Sequence, residues 1–436
     1  MLAGPRVKLS IPQPSLIVLI GPSGAGKSTF AGRHFRPTEV LSSDVFRAWV
    51  SDDVNDQSST ADAFETLQLV AARRLARGRL TVVDATNVQP RFRAPFLALA
   101  RAHHLPAVAV VFDVPEELCQ ERNRRRPDRQ VEPAVLSRQR AQLEQTLPTL
   151  EREGFRRTHL LVPEMLDHLE VERAPLPCDR RSEAGPFDII GDVHGCLAEL
   201  EALLSRLGYA RFEGTAGWRH PGGRRVIFLG DVVDRGPAVP GVLRTAMAMV
   251  RSGDALCLPG NHEVKLRRAL GGASLRVSHG LQQSLEQLAH ETPEFRRAVA
   301  RFLDELVPHY VLDGGALVVA HAGMKEALQG RDSPVVRAFA LYGETTGETD
   351  EYGLAIRHNW ASEYRGRAAV VYGHTPAPEP EWIHETVCID TGCVFGGRLT
   401  ALRWPERELT SVAAQRIYCE PSRPLATPVP EPDGRG

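Results

Sequence analysis

The stretch SLIVLIGPSGAGKS, residues 15–28, decides the fold of the first part of the chain. Its apolar run, Ser15–Ile20, has the length of a buried strand and leads directly into a glycine-rich turn. The turn fits the pattern GxxxxGK(S/T), in which backbone N–H groups surround phosphate oxygens when a strand precedes and a helix follows. Lys27 would then reach the β- and γ-phosphates of a nucleotide, and the Ser28 hydroxyl would bind Mg²⁺. The residues expected in this phosphate site are Gly21, Ser23, Gly24, Gly26, Lys27, Ser28 and Thr29.

A parallel α/β sheet is expected around this turn. Apolar runs at Val40–Ser42, Thr81–Asp84 and Ala107–Phe112 alternate with stretches of helical period, such as Ala63–Ala76 and Arg91–Ala102. This alternation of strands and helices is typical of parallel α/β sheets.

Asp44 and Arg47 follow the second predicted strand. Asp44 lies at the carboxyl edge of the sheet, where open α/β sheets bind ligands, and it could accept the proton of an attacking hydroxyl. Arg47, one helical turn later, would face the same cleft. The competing interpretation is an Asp that caps a helix and an Arg on the surface, because Asp caps helices routinely.

An arginine-rich segment, Arg122–Arg129, places five arginines within eight residues. A solvated helix face or loop would explain this composition. Arginine is also the side chain suited to bidentate phosphate contacts, and phosphoryl transfer needs positive charge on the migrating group. We therefore favour a mobile lid over the nucleotide.

The second half of the chain carries five short motifs, each after an apolar run. They are GDVHG (191–195), GDVVDRG (230–236), GNHE (260–263), AHAG (320–323) and GHT (373–375). Strand ends that meet at one sheet edge would bring their Asp, His and Asn side chains together. Mixed oxygen and nitrogen ligands suit Mn²⁺, Fe or Zn²⁺ better than Ca²⁺.

A two-metal site is predicted from these motifs. Asp231 is the natural bridging carboxylate, and the pair of ions would activate water and hold a phosphoryl group. Arg235 and His262 are left to hold phosphate oxygens and to protonate the leaving group. The predicted ligands divide into Asp192 and His194 on one ion, and Asn261, His321 and His374 on the other.

The composition of the chain excludes several classes of protein. The net charge of −1 excludes a polyelectrolyte that binds nucleic acid along its whole surface. The seven cysteines form no CxxC pair, so a disulfide framework or a zinc ribbon is not expected. No apolar run approaches the length of a membrane helix. We expect a cytoplasmic protein with domains at 1–173 and 187–418, a linker at 174–186 and a disordered tail at 419–436.

The motifs of the second half resemble the signature of binuclear metallophosphoesterases, the group that includes serine/threonine phosphoprotein phosphatases. The resemblance spans about Phe187 to Arg403 and implies a calcineurin-like α/β sandwich. The P-loop, the Asp44 and Arg47 pair, the strand end VDATN (83–87) and the arginine segment together resemble 5′-hydroxyl polynucleotide kinases. Joined in one chain, the halves resemble the bacterial polynucleotide kinase-phosphatases of RNA repair.

This resemblance implies substrates, cofactors and residue roles. A P-loop kinase domain would use ATP with Mg²⁺ to phosphorylate 5′-hydroxyl ends, with Asp44 as general base and Arg47 on the acceptor's phosphate. Arg122 and Arg126 would be the lid contacts to ATP, and Asp390 would lie near the phosphatase substrate. The phosphatase would use two divalent metals, Mn²⁺ or Ni²⁺, to remove 2′,3′-cyclic, 2′- or 3′-phosphates from nucleic acid, with RNA favoured.

The resemblance is incomplete, and other functions remain open. Members of that family carry a ligase-like domain after the phosphatase, but no KxDG-type lysine motif follows the phosphatase motifs here. We therefore expect a separate ligase to seal the ends, and a ligase or an RNA-modifying enzyme as the protein partner. One alternative is a serine/threonine-type protein phosphatase or a dinucleotide-polyphosphate hydrolase with a regulatory ATP-binding domain. A second alternative is an RNA-binding scaffold without activity, which the complete set of ligands disfavours.

Overall fold

The structure, a computed structural model, describes residues 7–126, 131–212, 214–273 and 280–421. The end of the arginine segment (127–129) and most of the predicted tail (422–436) lie outside these residues. The chain divides into two compact units. The first contains Met1–Leu176 with Arg331–Ser333, and the second contains Pro177–Gly330 with Pro334–Gly436.

The first unit is built around a parallel sheet with helices on both faces. Its elements are β1 (Val7–Gln13), β2 (Leu16–Ile20), α1 (Lys27–His34), β3 (Val40–Ser42), α2 (Ser43–Ser51), α3 (Thr60–Ala76), β4 (Thr81–Asp84), α4 (Pro90–Ala102), β5 (Ala107–Phe112), α5 (Glu116–Arg124), α6 (Pro133–Thr146), α7 (Leu150–Glu153), β6 (Arg157–Leu161), α8 (Pro163–Leu166) and β7 (Leu169–Pro175). Five strands pair in the order β3-β4-β2-β5-β6, all parallel.

The predicted strands of this unit are confirmed at β2, β3, β4 and β5. β2 and β5 are buried along their whole length, because separate apolar cores cover the two faces of the sheet. β1 and β7, which the sequence did not predict, pair in parallel as a separate two-stranded sheet. Their alternating buried and exposed residues leave no continuous apolar run to find.

The second unit is a four-layer sandwich. Its elements are β8 (Asp179–Arg180), β9 (Phe187–Ile190), α9 (Leu197–Arg206), β10 (Ala210–Arg211), β11 (Trp218–Arg219), β12 (Arg225–Phe228), α10 (Val239–Ser252), β13 (Ala255–Cys257), α11 (Asn261–Leu270), α12 (Leu281–Ala289), α13 (Pro293–Glu305), β14 (His309–Leu312), β15 (Leu317–Ala320), α14 (Pro334–Tyr342), β16 (Thr345–Thr349), β17 (Ala355–Arg357), α15 (Trp360–Glu363), β18 (Ala369–Tyr372), β19 (Trp382–Ile383), β20 (Thr386–Cys388), β21 (Arg398–Trp404) and β22 (Glu408–Ala413).

Two mixed sheets form the centre of this sandwich. Their strand orders are β13-β12-β9-β21-β22 and β19-β20-β18-β15-β14-β8. One apolar core contains residues of both sheets, among them Ile189, Ile227, Val319 and Val371. Helices α9 to α13 contribute to a second core with the first sheet, while α14 and α15 pack against the other. The carboxyl ends of β9, β12, β13, β15 and β18 carry the five motifs.

The segment 174–186 departs from the predicted exposed linker. β7 continues to Pro175, and β8 pairs with β14 through Asp179 and Arg180. Leu176 and Cys178 are buried. The prolines and charges that suggested a linker therefore belong to strand ends, and the second unit begins about ten residues earlier than the sequence indicated.

None of the helices in the described part of the chain combines the length and the apolar character needed to cross a lipid bilayer.

Candidate functional site

The glycine-rich turn has the conformation that a phosphate cradle requires. Gly24 has a φ of +81°, and a β-carbon there would lie 2.4 Å from the Cys119 carbonyl oxygen, so no other residue fits. The Lys27 ammonium donates to the carbonyl oxygens of Gly21 and Pro22 at 2.9 and 2.8 Å. Burial lowers the pKa of Lys27 to about 8, against the opposing effect of Asp84. A bound anion would replace these carbonyl partners with charge of opposite sign.

Asp84 belongs to this site, although the sequence analysis gave it no role. It ends β4, is buried, and lines the same cavity as Ser28. Burial raises its pKa, and Lys27 opposes that rise. A hydroxyl and a carboxylate are the hard oxygen ligands that Mg²⁺ prefers. Its place at the end of an apolar strand, followed by Ala85-Thr86-Asn87, was the signal that could have identified it.

Asp44 and Arg47 lie in the same cavity as the phosphate turn. This cavity measures about 680 Å³, and its lining includes Lys27, Ser28 and Asp84 as well as this pair. Arg47 Nη1 donates to Asp44 Oδ1 at 2.7 Å and to the Val54 carbonyl oxygen at 2.9 Å. Arg47 is only 4% exposed, and Asp44 lies in the first turn of α2, whose N-cap residue is Ser42. The geometry therefore differs from a capping Asp with a surface Arg.

The arginine segment contributes two side chains to the cavities around the turn. Arg126 lines the 680 Å³ cavity, and its charge acts on both Lys27 and Asp84. Arg122 and Arg126 also line a neighbouring cavity of about 370 Å³ with Gly26 and Thr29. Both predicted lid arginines thus lie beside the phosphate turn, whereas Arg125 pairs with Glu121 on the surface.

The second site is centred on the carboxylate of Asp231. Its Oδ2 oxygen lies 3.6 Å from His194 Nε2, 3.9 Å from His262 Nε2 and 3.4 Å from His321 Nε2. His321 Nε2 is also 3.1 Å from Asn261 Oδ1 and 2.9 Å from His374 Nδ1. The fold therefore collects these donors from four strand ends around one shared carboxylate.

The histidines present lone pairs towards this centre. His194 Nδ1 contacts the Val233 carbonyl oxygen at 2.8 Å, and His321 Nδ1 contacts the Leu229 carbonyl oxygen at 3.1 Å. A carbonyl only accepts hydrogen bonds, so each Nδ1 carries the proton and each Nε2 turns its lone pair towards the centre. Burial lowers the pKa of His194 well below its usual range, which keeps this imidazole neutral.

Asp192 and His374 complete the centre. Asp192 Oδ2 accepts the His374 backbone N–H at 3.1 Å. Among the described residues, Asp192 Oδ1 and His374 Nε2 are buried without a hydrogen-bond partner. Burial, together with Asp390 and Asp231, raises the pKa of Asp192 well above its usual range. Orphaned donor atoms and crowded carboxylates are the conditions that divalent cations relieve, so the residues fit a two-metal site.

Arg235, His262 and Asp390 lie around the centre as the sequence analysis expected. Arg235 Nη1 is 2.7 Å from His194 Nε2, and its guanidinium lies 5.1 Å from the ring centroid of Phe395. Burial raises the pKa of Asp390 to about 6, and Asp231 adds to that rise. Their roles towards a substrate remain predictions.

Asp234 and Glu263 support the centre, and the sequence analysis assigned neither a role. Asp234 Oδ2 accepts from His262 Nδ1 at 2.5 Å, which leaves His262 Nε2 facing Asp231. Glu263 accepts four backbone N–H groups, at 2.7 to 3.2 Å, from the loops after β12 and β13: those of Asp231, Val232, Val233 and Gly260. The Gly260-to-Glu263 spacing is that of a capping box, a signal that the sequence offered.

Several ligands of the centre have left-handed backbone conformations. His194, Asp231 and His374 have φ values of 44°, 46° and 71°. Such conformations cost non-glycine residues roughly 1–3 kcal/mol each and cluster at functional sites. Gly260 permits the close approach, because a β-carbon there would lie 2.0 Å from Asp231 Oδ1. The loops are thus held in strained positions that orient the ligands.

Comparison with known proteins agrees with this geometry. A family model described as calcineurin-like phosphoesterase matches residues 185–402, half of the chain. This chain belongs to the calcineurin-like phosphoesterase family. A second model, described as an AAA domain, matches residues 16–146, before the phosphoesterase domain. The predicted fold class is confirmed: a P-loop domain with a parallel sheet precedes a calcineurin-like metallophosphoesterase domain.

The relatives of the phosphoesterase domain are similar over nearly their whole length. The bis(5′-nucleosyl)-tetraphosphatase PrpE of Anoxybacillus flavithermus is 44% identical over 249 residues, 55% of this chain and 99% of its own. The protein of the same name from Halalkalibacterium halodurans is 45% identical over 53% of this chain and 94% of its own.

Among solved structures, that of the Mycobacterium tuberculosis APS kinase CysC is similar to 35% of this chain and 91% of its own, at 20% identity and a TM-score of 0.24.

Proposed function

We propose that this chain processes nucleic-acid ends. The P-loop domain transfers phosphate from ATP to a 5′-hydroxyl end, and the phosphoesterase domain removes 2′,3′-cyclic, 2′- or 3′-phosphates, with RNA as the favoured substrate. The observation that carries the kinase half of this proposal is the Asp44 and Arg47 pair, which shares one cavity with Lys27 and Asp84.

Four residues of this cavity, Asp44, Arg47, Ser28 and Asp84, have roles in the proposed phosphoryl transfer. Asp44 accepts the proton of the attacking hydroxyl, and Arg47 holds Asp44 in place and binds a phosphate of the acceptor. Arg47 Nε, which is buried without a partner among the described residues, is available for that phosphate. Ser28 and Asp84 would hold Mg²⁺, which when bound would offset charge on the migrating group. A site that only sensed ATP would need no base beside the phosphates.

The phosphoesterase residues support hydrolysis at phosphorus. Asp192, His194, Asp231, Asn261, His321 and His374 would hold two divalent metals, Mn²⁺ or Ni²⁺, which when bound would lower the pKa of water and attract the phosphoryl oxygens. Arg235 binds a phosphate oxygen, since its guanidinium projects beside His194. His262 delivers a proton to the leaving oxygen, and Asp234 holds its ring in the required tautomer.

Label transfer tests the kinase half. Protein incubated with γ-labelled ATP and a 5′-hydroxyl oligonucleotide should label the 5′ end, and Asp44→Ala should abolish labelling while ATP binding persists. Asp231→Ala is the matched control, because it alters only the phosphoesterase site and should label normally. Wild-type protein that binds ATP but labels neither RNA nor DNA would contradict the kinase assignment.

A second candidate function for the phosphoesterase domain is hydrolysis of dinucleoside tetraphosphates. The names of relatives that are 44–45% identical over nearly their full length favour it. The same chemistry would serve, because water attacks phosphorus in a phosphoanhydride as it does in a phosphate ester. The P-loop domain would then act separately or regulate the hydrolase.

A comparison of kcat/KM between substrates distinguishes the two candidate functions of the phosphoesterase domain. One preparation should be assayed with diadenosine tetraphosphate and with oligonucleotides that end in 3′-phosphate or 2′,3′-cyclic phosphate, and kcat/KM compared. End repair predicts a larger kcat/KM for the oligonucleotides. A clear preference for the dinucleotide would transfer the assignment to the second candidate, and Asp231→Ala should eliminate both activities.

A further inference from the structure

A buried group of sulfur and carboxylate donors lies outside both phosphate sites. Cys196, Glu199 and Cys393 each place a ligand atom within 4.8 Å of the other two. Their exposures are 0%, 2% and 1%. Cys196 is the N-cap residue of α9, and Glu199 lies in the first turn of the same helix. Cys393 comes from the single helical turn Cys393–Phe395, far away in the sequence.

The Glu199 carboxylate has an incomplete set of partners. Its Oε1 oxygen accepts the Gln415 backbone N–H at 2.9 Å and the Tyr418 hydroxyl at 2.8 Å. Its Oε2 oxygen is buried without a hydrogen-bond partner among the residues that the structure describes. Both donors are neutral, and a buried carboxylate held only by neutral donors is costly unless a cation joins it.

We propose that Cys196, Glu199 and Cys393 bind a third metal ion, of the borderline-soft class represented by Zn²⁺. Thiolate ligands select such ions over Mn²⁺ and Mg²⁺. The donors of the two-metal centre are oxygen and nitrogen only, so the two sites differ in the metals they prefer. On binding, the two thiol protons leave to solvent, and the cation compensates the Glu199 charge.

The surroundings of the three residues suit a metal site. Metal-binding carboxylates are themselves hydrogen-bonded, and the contacts of Gln415 and Tyr418 hold Glu199 Oε1 so that Oε2 can serve as ligand. Cys196 follows His194 by two residues, and Cys393 follows Asp390 by three. The ion would join the two loops that carry these residues of the phosphoesterase site. The sequence spacing excludes a zinc ribbon, but the fold creates this different arrangement.

Cobalt binding tests the proposal on the full chain. Metal-free, reduced protein titrated with Co²⁺ should show thiolate-to-cobalt charge-transfer absorption, which the sulfur-free two-metal centre does not give. Cys393→Ser should lose this band and about one bound Co²⁺ per chain by elemental analysis. Cys388→Ser is the matched control. The Cys388 thiol lies 3.5 Å from the Gly373 carbonyl oxygen and is not one of the three proposed ligands, so the band should remain in this variant.

Glu199→Gln gives a second test that does not remove a thiol. The amide oxygen of glutamine can still accept the two hydrogen bonds that Glu199 Oε1 accepts, but the side chain has no charge. Circular dichroism should therefore show a folded protein. This variant should bind the thiolate-linked Co²⁺ at least ~10-fold more weakly than wild type. A wild-type protein without the band overturns the proposal. So does a band lost in Cys388→Ser but kept in Cys393→Ser, or a Cys196–Cys393 disulfide found by mass spectrometry in protein purified without oxidant.

Discussion

The two phosphate sites of this chain are constructed in opposite ways. The first takes its main contacts from one contiguous turn, residues 21–28, and faces a cavity of about 680 Å³. The second collects buried side chains from strand ends between Asp192 and Asp390. A backbone cradle depends on few side chains, whereas each ligand of a dispersed centre supports both the metals and the loops around it. A substitution in one site should therefore change only the activity of that site. Substitutions in the dispersed centre should lower stability more than substitutions beside the P-loop.

The largest effect is expected from Asp231→Ala. Asp231 belongs both to the donor group with His194 and His262 and to the group with His321 and His374. Its Oδ1 oxygen also accepts a hydrogen bond from the backbone N–H of His262 at 3.1 Å. Since loss of an outer-shell partner alone costs 10–100-fold, loss of the shared ligand should lower phosphoesterase kcat/KM by at least ~10³-fold. Hydrolysis of p-nitrophenyl phosphate with Mn²⁺ measures it. Activity equal to wild type would remove the metal assignment.

Glu263→Gln should have the next largest effect. The glutamine NH₂ would face backbone N–H groups that now donate to a carboxylate oxygen, so the loops after β12 and β13 would lose two of four contacts. We expect phosphoesterase activity to fall roughly 10–100-fold and the thermal midpoint to drop, with label transfer by the P-loop domain unchanged. Metal titration with activity as readout would show weaker metal binding; unchanged affinity would argue against a positioning role.

A smaller effect is expected from Arg47→Lys in the P-loop cavity. Lysine keeps the charge but cannot reproduce the guanidinium contacts to Asp44 and Val54. If the kinase proposal holds, kcat/KM for the 5′-hydroxyl acceptor should fall about tenfold, the size of one charge-assisted hydrogen bond. ATP affinity, measured by calorimetry, should stay constant. A change confined to ATP binding would place Arg47 on the donor side instead.

The smallest effect is a stability change without a change in either activity. The Tyr209 hydroxyl donates to buried Asp188 at 2.9 Å, and this carboxylate also pairs with Arg224 and Arg403. Tyr209→Phe should lower the free energy of unfolding by about 1.5–3 kcal/mol, because the contact is one hydrogen bond to a charged group. Denaturant titration measures this loss. Tyr352→Phe, at a half-exposed position, is the control and should change nothing.

Sequence reasoning succeeded where a function depends on a short motif after an apolar strand. It placed the phosphate turn, four strands of the first sheet and the six proposed metal ligands near one another in the fold. It could not show that Arg47 is buried or that Asp84 shares a cavity with Ser28, since both depend on packing between distant segments. The roles of Asp234 and Glu263 were missed because they support ligands rather than bind metal.

Some strands and backbone conformations also could not be predicted from the sequence. β1, β7 and β8 were missed because their burial alternates or they are too short to give a pattern. The left-handed conformations of His194, Asp231 and His374 cannot be read from residue types that usually avoid them.

The pairing of β1 with β7 has a consequence for how the chain is made. In this sheet Val7 lies opposite Leu169, and Pro12 lies opposite Ala174. A ribosome releases β1 long before its partner strand exists, so β1 must wait, unpaired, while the chain between the two strands is synthesised. Pairing of these two strands would then mark the completion of that unit during translation, because such long-range contacts form last.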